Sequence, residues 1–169
     1  MTVFSVAEAT YVMRSLEEEL RRISKENGYH TAFVNVERPS WSPDQDNELY
    51  ARDAPSLFLW TLSIGEEGGG NGDTIQERNR EMEVVVIGLF SQQDGLQEAM
   101  LNGADDVDKA LRSNPQRNFP GSTGVTNTWG IDTVLSGGFS FDMRRSEPGQ
   151  TWGKGTFAGR WTVKYRAPM

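Results

Sequence analysis

The single histidine of this 169-residue sequence, His30, is its one imidazole, the commonest general base of enzyme sites. Acyl-transfer chemistry of the serine type needs such a base, held against a hydroxyl and oriented by an acid. Ser and Thr are plentiful, but no GxSxG elbow occurs. His30 stands alone at the start of a strand candidate, which reads as a surface or strand-end residue. With no Cys in the chain, thiol nucleophiles, thiolate zinc sites and disulfides are all excluded.

Clustered carboxylates are the other source of chemistry. Asp105, Asp106 and Asp108 form one group, Asp44 and Asp46 another, and neither has the alternating spacing and terminal Glu of a calcium loop. The first group reads as a solvated helix face. Two acids acting as a glycosidase pair are possible in any acidic chain, and nothing in the spacing selects one. The Gly65–Asp73 segment lacks the Lys of a phosphate loop and does not run into an apolar helix, and Glu66, Glu67 and Asp73 would repel an anion. The expectation is a protein with no catalytic residue, metal or cofactor.

The elements that would position any site follow from periodicity. Ser5 and Glu8 form a capping-box pattern, and Ala9, Met13, Leu16, Leu20 and Ile23 recur at helical steps up to Asn27-Gly28, predicting a helix over 5–27. Strands are predicted over 31–37, 56–64 and 81–90, the last a central strand because Val84-Val85-Val86-Ile87 does not alternate. The Pro-rich stretch 38–55 reads as an ordered excursion or surface loop, and 65–80 as a long hairpin tip. Asp94 and Gln97 signal a second helix over 95–113, followed by a loop over 114–127. Strands over 128–136 and 139–145 flank Gly137-Gly138, which reads as a hairpin turn. The last strand, 156–166, alternates most clearly: Phe157, Trp161, Val163 and Tyr165 face one way, and Arg160, Thr162, Lys164 and Arg166 the other. Gly159 falls in the apolar register, where a close approach is expected.

Helix, three strands, helix and three strands predict a single α+β domain over 1–169, with a mainly antiparallel sheet and two helices on one face. Net charge −7 disfavours sequence-reading nucleic-acid binding. The first ten residues, MTVFSVAEAT, lack the charged and apolar regions of a signal peptide, and no stretch is long enough to span a bilayer, so folding in the cytoplasm is expected. Of the five Trp, Trp60, Trp129 and Trp161 lie in strand runs, whereas Trp41 and Trp152 lie in loops and are candidates for partner contact. Arg144, Arg145, Arg160, Lys164 and Arg166 gather basic charge at the end of an acidic chain. Arg160, Lys164 and Arg166 would suit either a solvated sheet face or a contact with the acidic surface of an identical neighbour.

This order of elements, closing on the segment Gly155-Thr-Phe-Ala-Gly-Arg-Trp-Thr-Val-Lys-Tyr-Arg166, resembles the tail-terminator, or tail-completion, proteins of long-tailed phages. The resemblance spans nearly the whole chain and rests on element order and size. It implies a homohexameric ring of identical subunits, located in the virion, that caps the head-proximal end of the tail tube. Its partners would be the tail tube protein and a neck or stopper protein, with DNA passing through the lumen without sequence-specific binding. It also implies that the acidic hairpin tip, with Glu66, Glu67 and Asp73, projects toward an axial neighbour or the lumen. The long loops 38–55 and 114–127 depart from that pattern. Other readings are a stopper, adaptor or tube subunit, a monomeric hydrolase or ligand-binding domain with an acidic pocket, and a secreted carbohydrate-binding module using its Trp residues. A ring separates the first readings from the others.

Overall fold

The computed structural model describes residues 7–66, 77–92, 94–113, 117–118, 130–144 and 153–168. In chain order these form α1 (Glu8–Arg21), β1 (Asn35–Glu37), α2 (Asp46–Tyr50), β2 (Ser56–Glu66), β3 (Glu77–Gln92), α3 (Leu96–Ser113), β4 (Arg117–Asn118), β5 (Gly130–Arg144) and β6 (Gly153–Pro168). The strands make one sheet in the order β1-β2-β3-β6-β5-β4. β1 and β2 are parallel and every other neighbouring pair is antiparallel, so the fold is α+β with a mainly antiparallel sheet.

The centre of the sheet is the β3–β6 pair, joined without interruption from Glu77↔Pro168 to Gln92↔Gly153. Alternation along these strands sorts the side chains onto two faces. On one face Met82, Val84 and Val86 of β3 and Phe157, Trp161, Val163 and Tyr165 of β6 meet Val12, Met13, Leu16 and Leu20 of α1 and Met100, Val107 and Leu111 of α3. The two predicted helices therefore share one face and one core. Each fully buried large apolar side chain there contributes about 1.5–3 kcal/mol.

The opposite face is not simply wet. Phe58, Trp60, Val85, Ile87 and Leu89 form a second cluster beneath Leu49, with Trp41, Tyr50 and Ala54 packed against it. The 38–55 excursion thus folds back over the sheet, carrying the five-residue helix α2. That third helix was not predicted, because so short a segment has too few periodic positions to signal itself.

Several predicted boundaries move. α1 ends at Arg21 rather than at 27, because Ser24 turns extended and its hydroxyl accepts the Asn27 N–H to cap a separate 3₁₀ turn over Lys25–Asn27. Gly28 is left-handed as the Asn-Gly pair suggested, but it ends that turn and not the helix. Ala7 precedes α1 without a side-chain cap, while Ser5 lies outside the described residues. The strand predicted over 31–37 pairs only from Asn35, since the N–H groups of His30 and Thr31 are taken by Asp106 of α3.

The largest correction concerns Gly137-Gly138. Ser136 pairs with Trp161 and Phe139 with Gly159, so both glycines stand opposite Arg160 as a bulge within the single strand β5. There is no hairpin there. Gly138 takes φ +93°, which only glycine enters freely. Beyond the bulge Phe139 falls back over Gly159, edge-on to Trp161 with ring centroids 5.3 Å apart, and that packing continues the strand.

Gly159 is the close approach that its register suggested: a Cβ there would run into the rings of Trp161 and Phe139. Gly159→Ala should therefore destabilise the fold by about 1–3 kcal/mol, the usual range for overpacking. The check is a lower urea midpoint at unchanged slope.

Candidate functional site

The basic residues of β6 project from the face opposite the helices, but the sheet itself answers their charge. Arg160 Nη1 lies 3.2 Å from Glu83, Lys164 Nζ 3.6 Å from Glu81, and Arg166 Nε donates to Asp132 at 2.9 Å. Each partner comes from an adjacent strand, so the central strand register that sorts the core also places these ions side by side. The outcome is a ladder of neutralised pairs rather than a positive patch. Arg144 extends over the ring of Tyr50, 3.8 Å from its centroid.

Trp41 is occupied within the molecule. Its ring lies 5.4 Å from both Phe58 and Trp60, its carbonyl accepts the Trp60 Nε1–H at 2.8 Å, and the Arg52 guanidinium sits over it. Its contacts hold the 38–55 excursion onto the sheet. Glu66 is exposed at the end of β2, opposite Arg80. Glu67, Asp73 and Trp152, like Trp129, lie outside the described residues.

The aspartates of α3 divide by helical position, which corrects their reading as a wholly solvated face. Asp106 is 1% exposed, and its carboxylate accepts the N–H of His30 and of Thr31 at 2.8–3.1 Å. Asp108 Oδ1 accepts the Trp161 Nε1–H at 3.1 Å and Oδ2 meets Arg112. Only Asp105 points to solvent. His30, Asp105 and Asp106 offer ligand atoms within 4.8 Å of one another, yet the Asp106 oxygens already serve two backbone donors. This accounts for the cluster as a tether from α3 to the chain entering β1.

A groove of about 520 Å³ opens on the face opposite the helices, below the excursion. Val85, Ile87 and Ala158 line it, with Leu62, Asp44, Ser140 and Arg160 at its sides. Arg160, its cation, is the one paired with Glu83.

Sequence reasoning missed the margins of the sheet. β1 covers β2 only at Ser56–Phe58, and β4 covers β5 only at Gly130–Ile131, so among the described residues the outer edges of 59–66 and 132–144 carry no strand partner. Leu62, Ile64, Leu135, Phe141 and Met143 are exposed along them. A non-alternating apolar residue in a strand, as at Val134-Leu135, was the available signal. Neither a protein-family model nor a curated protein matches the chain.

Asp106→Asn keeps the shape of the side chain and removes one acceptor oxygen and the charge from a buried site. Expected is a loss of about 1–3 kcal/mol, read as a lower thermal midpoint. Faster amide exchange at His30 and Thr31 should accompany it. Arg160→Ala, which breaks an exposed pair, should change stability by less than about 1 kcal/mol in the same measurement.

Proposed function

We propose that this chain is a ring-forming structural subunit of a phage tail, acting as a tail terminator at the head-proximal end of the tube. The observation that carries this reading is the uncovered outer stretch of β2. β2 is buried from Ser56 to Trp60 and exposed from Thr61 to Glu66, while β3 beside it stays paired with β6 as far as Glu77↔Pro168, so the exposed stretch is a margin of the sheet. At about 3.3 Å per residue, that margin is roughly 20 Å long. A margin of this kind, leading into the acidic 67–76 connection, suits docking to a neighbouring protein better than it suits enclosing a substrate.

Charge supports the same reading. A surface past which DNA slides must not hold phosphate, since each free Lys or Arg contact adds a salt-sensitive attraction. The sheet face opposite the helices sets Glu81, Glu83 and Asp132 against Lys164, Arg160 and Arg166, and the whole chain carries −7. Such a face, turned to a lumen, would let DNA pass. The partners are then identical subunits, the tube protein and a neck component.

Native mass spectrometry and negative-stain imaging test the proposal. Expected are closed rings, hexamers by the resemblance, either alone or on tube ends. Monomers at high concentration with no rings beside tube protein would sink it. Shortening the β2–β3 connection by deleting 67–76 should leave the melting transition cooperative while abolishing attachment to tube ends.

A further inference from the structure

The 38–55 excursion is attached to the molecule differently from the strands beneath it. Among the described residues, the backbone hydrogen bonds of 39–54 run within the segment, as from the Leu49 N–H to Gln45 and from the Arg52 N–H to Leu49. Side chains fix it to the sheet at two places. At one, Trp41 packs on Phe58 and Trp60, and its carbonyl accepts the Trp60 indole N–H. At the other, Tyr50 is gripped by two cations that face each other across β5 and β6: Arg144 stacks on its ring, and Lys154 Nζ donates to its carbonyl at 3.3 Å. The ion pairs Arg38–Glu17 and Arg52–Glu37, at 3.6 and 3.8 Å between partly exposed side chains, add little.

We propose that 38–55 is a strap, latched at Trp41 and Tyr50, that lifts from the sheet as a unit while the strands stay paired. Both of its ends are held in one ladder, by Asn35↔Ser56 and Glu37↔Phe58, so lifting changes no register. Segments released without breaking a ladder open at a lower free energy than the strands that carry one. The strap covers Phe58, Trp60 and Leu89, and it leaves Val85 and Ile87 as the floor of the open groove, with its own Pro43 and Asp44 at the rim. Once lifted, it joins covered and open parts into a single apolar trough from Leu62 to Leu89. The floor of the groove is thus extended or closed off by the position of one segment, whatever the oligomeric state of the chain.

Two hydrogen-bonded indoles report on the two faces of the sheet. The Trp60 Nε1–H is held by the Trp41 carbonyl of the strap, and the Trp161 Nε1–H by Asp108 of α3. In hydrogen exchange of the wild-type protein followed by NMR, the Trp60 indole should exchange about 100-fold faster than that of Trp161. The amides of Leu49 and Arg52 should exchange with it, well ahead of those around Val86 in β3. Tyr50→Ala removes the ring under Arg144, and it should speed exchange at the Trp60 indole about tenfold while leaving that of Trp161 unchanged. Equal exchange at the two indoles, shifted together by Tyr50→Ala, would overturn the proposal, because the strap would then open only with the whole molecule.

The lack of Cys allows a second measurement, of the floor itself. Leu89 lies under the strap and Met82 in the helix core, and both are fully buried. In native buffer a thiol reagent should label Leu89→Cys about tenfold faster than Met82→Cys or more, and adding Tyr50→Ala should accelerate only the first. Labelling of both variants at the rate of global unfolding would overturn the proposal. Fast exchange at the Trp60 indole with Leu89→Cys left unlabelled would confine the opening to the Trp41 end and so overturn lifting as a unit.

Discussion

The antiparallel pairing of β3 with β6 is the constraint from which the remaining architecture follows. Both strands are sixteen residues long and pair along their whole length, and the buried run Val84–Phe90 has side chains packed above and below it. A slip of one residue would carry Trp161 and Val163 to the outer face and bring Arg160 and Lys164 into the helix core. Burying those cations without partners would cost several kcal/mol each, far more than any single surface contact returns. Register, helix placement and the ion ladder are therefore one decision.

From that spine the two faces take different roles. One receives α1 and α3 in a dry core, with Asp106 and Asp108 as the points where α3 is tied by hydrogen bonds to the chain entering β1 and to Trp161. The other is half covered by the 38–55 excursion through Trp41 and Leu49 and half left as a groove floored by Val85 and Ile87. β2 is buried near Ser56 and uncovered near Glu66, while its partner β3 stays paired with β6 throughout, so the exposed end of β2 shares a continuous backbone ladder with the core strands.

Legibility in the sequence tracked how local the cause was. The central position of β3 was visible in Val84-Val85-Val86-Ile87, and the two-faced β6 in its alternation, because both patterns are written in consecutive residues. Gly159 was legible for the same reason. Gly137-Gly138 misled because a glycine pair satisfies a turn and a bulge equally well, and only the fit of Phe139 onto Gly159 and Trp161 decides between them. Asp106 misled because a helix carboxylate looks solvated until a distant loop brings two N–H groups to it. Trp41, placed in a loop by its Pro neighbours, is packed because the excursion folds back on the sheet.

By itself the sequence determined the number of long helices, the central and two-faced strands, the α+β class and the acidic balance, since each depends on residue type and short-range period. Tertiary structure alone decided that β5 is one strand, that the basic residues of β6 are answered by Glu81, Glu83 and Asp132, and that among the described residues the outer edges of 59–66 and 132–144 carry no strand partner. The reason is physical: periodicity states which side of a strand is apolar, whereas pairing across strands far apart in sequence decides which charges meet and which backbone groups are left without a partner.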